Sequence, residues 1–198
     1  KLLLCLAPFS GFIHRGVIPI YSQKLQQLEP LQGYQFDQFD AAIEEAIHWG
    51  LLSPMSEELP YLLTIQPIFP YFLKTKLKEL APETQAAIWE GFKNHYRDLA
   101  GYYDTLLDSK NPQEKQLGIL FCRWEYENLF NALQICLEKQ EDINIFFCLH
   151  NYFVVTNDVS SRLKLCESVC QACQAYPEQI KTGIIGGNIV GALGNLAI

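Results

Sequence analysis

Residues Tyr61–Leu77 read YLLTIQPIFPYFLKTKL, a stretch that begins as a strand and ends as a helix. YLLTI is a short apolar run bounded by Pro60 and Pro67, as expected of a buried strand. Pro67 suits the first turn of a helix, along which Phe69, Leu73, Leu77 and Leu80 share one face. A hydrogen-bonding side chain, Gln66, stands at the junction.

Working upstream, GLLSP reads as a second strand, joined to the first by the polar loop around SEELP. Before it, Phe39, Ile43, Ile47 and Leu51 recur every fourth position, with Asp37 as candidate cap and Gly50 as stop signal. An earlier helix is expected from Pro19 to Leu28, ending before Pro30, and a buried one over 2–8, ended by Pro8 and the Ser10-Gly11 turn. Three helices, a two-stranded hairpin and a helix within residues 1–80 make the plan of a winged helix.

Downstream of Pro82 only helical periods remain. Trp89, Phe92, Tyr96, Leu99, Tyr103 and Leu106 step by three and four, the stripe of a long helix packed on its neighbours. Asn111-Pro112 breaks it, and one helix is expected from Glu114 to Lys139 carrying Leu117, Phe121, Trp124, Leu129, Leu133 and Cys136. Helices follow at 143–155 and 159–175, and a Gly-rich one starts near Thr182. The expected fold class is therefore mainly α: a winged-helix domain at 1–80, then a helical bundle or solenoid over 81–198.

With 49% hydrophobic and 13% aromatic residues among 198, the chain can fill a sizeable core. Fifteen basic residues against 22 acidic ones, a net charge of −7, disfavour a large phosphate-binding surface. The opening KLLLCLAPFSGFI resembles a signal peptide only in outline: Pro8 interrupts the apolar run and no small-residue cleavage site follows. No apolar run approaches the roughly 18 residues of a membrane span. Seven cysteines without a regular framework suit a reducing cytoplasm. The chain opens without Met inside a leucine-rich pattern and ends in ALGNLAI with the period still running, as expected of a middle piece of a longer protein.

Cys166, Cys170 and Cys173 have the C-x3-C-x2-C spacing with which radical enzymes hold an iron–sulfur cluster. The same residues continue a helical stripe from Val159 and Leu163, and Cys166 and Cys173 would lie about 10 Å apart along a helix, too far for one zinc ion. Core packing is the expectation, with no metal. His14, His48, His95 and His150 fall on separate elements, and the adjacent Glu44 and Glu45 point in different directions on a helix. The glycines between Gly183 and Gly194 lack a preceding strand and suit helix–helix contact better than a phosphate loop. No catalytic residue is assigned. The helix that would read DNA carries Asp37, Asp40, Glu44 and Glu45 and no Lys or Arg, so nucleic acid is not an expected partner.

EAIHWGLLSP followed by YLLTIQPIFPYFLKTKL resembles the winged-helix segment of STAND proteins, multidomain signalling NTPases that include the NB-ARC class. CRWEYENLFNALQICLEKQED, residues 122–142, is similar to the E-x-x-N-L-x-x-A-L helix that follows the NTPase core in bacterial members. The terminal GALGNLAI, within 183–198, resembles the first helix of a tetratricopeptide repeat, with Leu193-Gly194 as its Leu-Gly pair. The resemblance implies an ATP- or ADP-binding NTPase domain in cis, upstream of Lys1, and a protein partner bound by the helical repeats. It implies a non-catalytic, regulatory role for this part, relaying nucleotide state to a helical sensor. Relatives place a phosphate-contacting histidine where Gln66 stands; glutamine can donate a neutral hydrogen bond but cannot become cationic. A helix cap, or a bond to strand backbone, is the other reading of Gln66. Trp89, Phe92 and Tyr96 are the candidate partner or inter-domain surface, or ordinary solenoid core. The rival is a free-standing helical protein-binding scaffold.

Overall fold

A computed structural model of the chain describes residues 1–177. They are mainly helical, with one small antiparallel sheet. The Gly-rich helix and the repeat expected over 183–198 lie outside the described residues. The chain divides into two compact units, Lys1–Tyr96 and a second beginning at Arg97.

In the first unit, strand β1 (Phe12–His14) precedes helix α1 (Ile18–Gln26) and helix α2 (Phe39–His48). Strands β2 (Leu52–Pro54) and β3 (Leu62–Ile65) and helix α3 (Ile68–Leu77) follow. The expected hairpin is present, but the sheet has a third strand: its order is β1-β3-β2, with Ile13 opposite Leu63 and Ser53 opposite Thr64. Three residues of FIH are too short a run to read as a strand without the partner that supplies their hydrogen bonds. The helix expected over 2–8 is a five-residue 3-10 turn, Leu2–Leu6, whose Cys5 and Leu6 are buried.

Helix α2 ends as its sequence signals. Gly50 takes φ +68°, Leu51 N–H donates to the Ala46 carbonyl at 2.9 Å and Gly50 N–H to Ile47 at 2.9 Å, the paired bonds that close a helix with a left-handed residue. The cap expected of Asp37 is not formed: Asp37 lies in the 3-10 turn Phe36–Gln38, and Gln38 precedes the helix with no side-chain cap. The turn bonds of 36–38 already satisfy the groups that a cap would serve.

Helix α4 (Pro82–Leu107) contributes residues to both units. Its first part belongs to the core of the first, where Phe9 lies 5.1 Å ring to ring from Phe92, 5.8 Å from Tyr96 and 5.2 Å from Tyr21, all edge-on. Tyr21 is fully buried and its hydroxyl donates to the Cys5 carbonyl at 2.7 Å.

The second unit continues with α5 (Pro112–Trp124), α6 (Tyr126–Glu138), α7 (Asn144–Val155) and α8 (Val159–Gln174). Asn111 caps α5 by accepting from Gln113 N–H at 3.0 Å, with Pro112 in the first turn, and Asp158 caps α8 through Ser161 N–H at 3.0 Å. Helices α6 and α8 are returned to each other where Tyr176 Oη donates to the Cys136 carbonyl at 3.4 Å.

The single helix expected over Glu114–Lys139 is two helices. The break is at Glu125, φ −93° and ψ 9°, with no Gly or Pro to announce it. Leu117, expected in the buried stripe, is 46% exposed, and the covered face of α5 is Gly118 and Cys122. Gly118 lets α5 come close to the end of α4: a Cβ there would meet the Leu107 nitrogen at 3.0 Å. The α8 stripe is also turned from expectation. Leu165, Cys166, Val169 and Cys173 are buried, whereas Val159 and Leu163 are exposed.

Candidate functional site

The β3–α3 junction builds one distinctive surface of the first unit. Gln66 N–H donates to the Leu51 carbonyl at 3.1 Å, and the Gln66 carbonyl accepts from Phe69 N–H at 2.8 Å, so backbone alone closes the strand and opens the helix. The Gln66 side chain is exposed and has no hydrogen-bond partner among the described residues. The capping role left open for it is thus carried by its backbone, because Pro67 starts the helix directly.

Phe69, Leu73 and Leu77 of α3 are buried, as their spacing predicts. The opposite side of the helix is apolar as well: Ile68 is 71% exposed, Tyr71 77% and Phe72 54%. The bond between Gln66 and Leu51 sets the end of α2 beside this junction, two residues after Trp49, itself 70% exposed. Three large exposed apolar side chains thus share the outer side of α3 beside an exposed amide.

Trp89, Phe92 and Tyr96 do not form such a surface. Phe92 and Tyr96 have no exposed area, and Trp89 is half-buried with its ring 6.4 Å from Phe92. As a surface for a separate protein they are corrected to core: helical spacing identifies an apolar stripe but not what already covers it, and here Phe9 does.

The acidic side of α2 is held by one cation. Arg15 binds Asp40 through two bonds of 2.7 Å, from Nε and Nη2, and reaches Glu44 through Nη1. This hydrogen bonding holds the Asp40 carboxyl below its ordinary range. Because the folded-state value is depressed, the bond's contribution is present above the unfolded carboxyl value of about 4 and is lost as pH falls through the folded value. Comparing urea midpoints from about pH 5 to pH 2, Arg15→Gln is expected to flatten the acid-side slope; an unchanged slope would remove Arg15 from the pH response.

Elsewhere the chemistry is quiet. All seven cysteines are free thiols; Cys122 and Cys148 lie 3.7 Å apart between α5 and α7 and are fully buried. The hydrogen bond to Cys122, with burial, pushes the Cys148 thiol up, and burial does the same at Cys166, Cys170 and Cys173, which keeps them protonated and poorly nucleophilic. Among the described residues no group of three or more His, Cys, Asp and Glu is placed to hold a metal ion. His14 lies against Tyr61, His95 against Tyr21 and His150 against Phe146, each on its own element. A cleft of about 580 Å³ is lined by Leu3, Tyr34, Gln35, Gln38, Ala42 and Glu45; burial raises the Tyr34 phenol. No described helix is long and apolar enough to cross a membrane.

The motif E-x-x-N-L-x-x-A-L falls at the α5–α6 break. Glu125, Asn128, Leu129, Ala132 and Leu133 are all buried, and Asn128 Nδ2 donates to Glu125 Oε2 at 2.8 Å. Its polar residues therefore act inside the second unit, at the first turn of α6. The sequence motif marks Glu125 and Asn128 as its fixed polar positions; that their side chains bond to each other is seen only in the structure. No protein-family model, no curated protein and no solved structure matches the chain.

Proposed function

We propose that this chain is the non-catalytic regulatory and protein-interaction part of a STAND-type signalling NTPase. Its first unit would be a winged helix that docks on an NTPase domain in cis through the surface around Gln66. The helical region would carry the nucleotide state to a partner-binding repeat in the cytoplasm. The observation that carries this reading is the exposed apolar surface beside Gln66, which has the character of a docking face. The element order and the strand order β1-β3-β2 support a winged helix. The exposed acids of α2, gathered on Arg15, argue against a nucleic-acid role for the same unit.

ATP or ADP would be bound by the NTPase domain, with Gln66 reaching a phosphate through its free amide. In the full-length protein, Gln66→Ala is then expected to speed release of a fluorescent ADP analogue roughly tenfold, the loss of one hydrogen bond to a charged group. An unchanged release rate would remove Gln66 from the nucleotide. The wider reading is tested by the coding sequence upstream of Lys1: a Walker A loop followed by this chain supports it, and its absence leaves the free-standing scaffold.

A further inference from the structure

The outer face of α3 is more specific than an apolar patch. At about 100° per residue, Ile68, Tyr71, Phe72 and Thr75 span roughly a quarter of the helix circumference, opposite the buried Phe69, Leu73 and Leu77. Lys74 and Lys78 border that face on one side, and neither has an ion-pair partner among the described residues. Lys76, on the other side, is paired with Glu79 at 2.9 Å. Lysines in a last turn complement the helix dipole, but that effect gives no reason for three large apolar side chains one turn earlier to face water.

Charge decides between possible occupants. A second copy of this face, paired antiparallel about a twofold axis, would set the Lys74 and Lys78 border against the same border of its mate, which repels. A basic partner is excluded on the same ground. An acidic partner with an apolar stripe covers Ile68, Tyr71 and Phe72 while its carboxylates meet the two unpaired lysines.

We infer that the outer face of α3, Ile68–Tyr71–Phe72 bordered by Lys74 and Lys78, is a docking site for an acidic amphipathic protein segment, helical and carrying carboxylates beside its apolar stripe. This rests on the reading of the first unit as a protein-docking module and adds the charge and shape of what it receives. It does not depend on the partner being an NTPase domain, so a missing Walker A loop and a failed binding test are separate results.

The test uses the 198-residue chain and two synthetic helical peptides with the same leucine stripe, one with glutamate and one with lysine at the remaining positions. Titration calorimetry at low and high salt is expected to show binding of the glutamate peptide only, weakening as salt rises. Lys74→Glu with Lys78→Glu is expected to weaken that binding at least tenfold and to admit the lysine peptide. Tyr71→Ser with Phe72→Ser, on solvent-exposed positions that leave the unfolding midpoint unchanged, is expected to abolish binding of the glutamate peptide. Binding of neither peptide, equal binding of both, or self-association through this face would overturn the inference. So would binding to phosphatidylserine vesicles in place of the peptide, which would assign the face to a lipid surface.

Discussion

Phe92→Ala is expected to lower the stability of the chain by about 3–5 kcal/mol, measured as the shift of the urea midpoint at constant slope. The ring is fully buried, 4.7 Å from Tyr96 and 5.1 Å from Phe9, so truncation removes one member of an interlocked aromatic cluster and leaves a cavity. That loss is a large share of the stability of an ordinary domain, about 5–15 kcal/mol. The same substitution at a partner surface would leave the midpoint nearly unchanged and weaken only an association. A shift below about 1 kcal/mol would therefore return Phe92 to the surface and remove it from the core.

Asn128→Ala is expected to cost about 2–3 kcal/mol, although it removes only a small polar group. Asn128 is fully buried and Glu125 is 1% exposed, so water cannot replace the amide that donates to Glu125 Oε2. Asn128→Asp separates hydrogen bonding from packing. It keeps the size of the side chain but replaces the donating amide by a second carboxyl set against the first, and is expected to destabilise at least as much as the alanine. A loss for the aspartate well below that of the alanine, or a loss of a few tenths of a kcal/mol for the alanine, would mean that the pair does not hold the α5–α6 break.

The elements most legible from sequence were those with local signals. Gly50, Pro67 and Asn111-Pro112 each mark a helix end by backbone conformation or by a side chain that reaches one to three residues, and the helices begin or end beside them. Periodicity in α2 and α3 likewise identified Phe39, Ile43, Phe69, Leu73 and Leu77 as core. Where no local signal exists, expectation and structure part. Glu125 interrupts a segment with good helical periodicity where its buried side chain accepts from Asn128 and where α5 and α6 each pack against α7. Two helices ending in non-glycine left-handed residues, Gln140 and Asn157 at φ 57°, show the same limit: closure is achieved by Glu141 N–H on Cys136 and Asp158 N–H on Phe153, with Asn157 alone of the two a common choice there.

The candidate site follows this division. Its composition was visible at once: a glutamine at a strand–helix junction, followed by an aromatic turn and three lysines. Its polarity was not. In YLLTIQPIFPYFLKTKL nearly every non-lysine position of the helix is apolar, so periodicity assigns Phe69, Leu73 and Leu77 inward but cannot say whether Ile68, Tyr71 and Phe72 are covered too. Coverage depends on the placement of the 3-10 turn Leu2–Leu6, which lies far away in the chain and packs against α3. Periodicity and caps act over a few residues, and they set the order and ends of the elements. Burial is a property of what arrives from elsewhere, and it decided that Phe92 is core, that Glu125 is held inside, and that the outer face of α3 stays exposed.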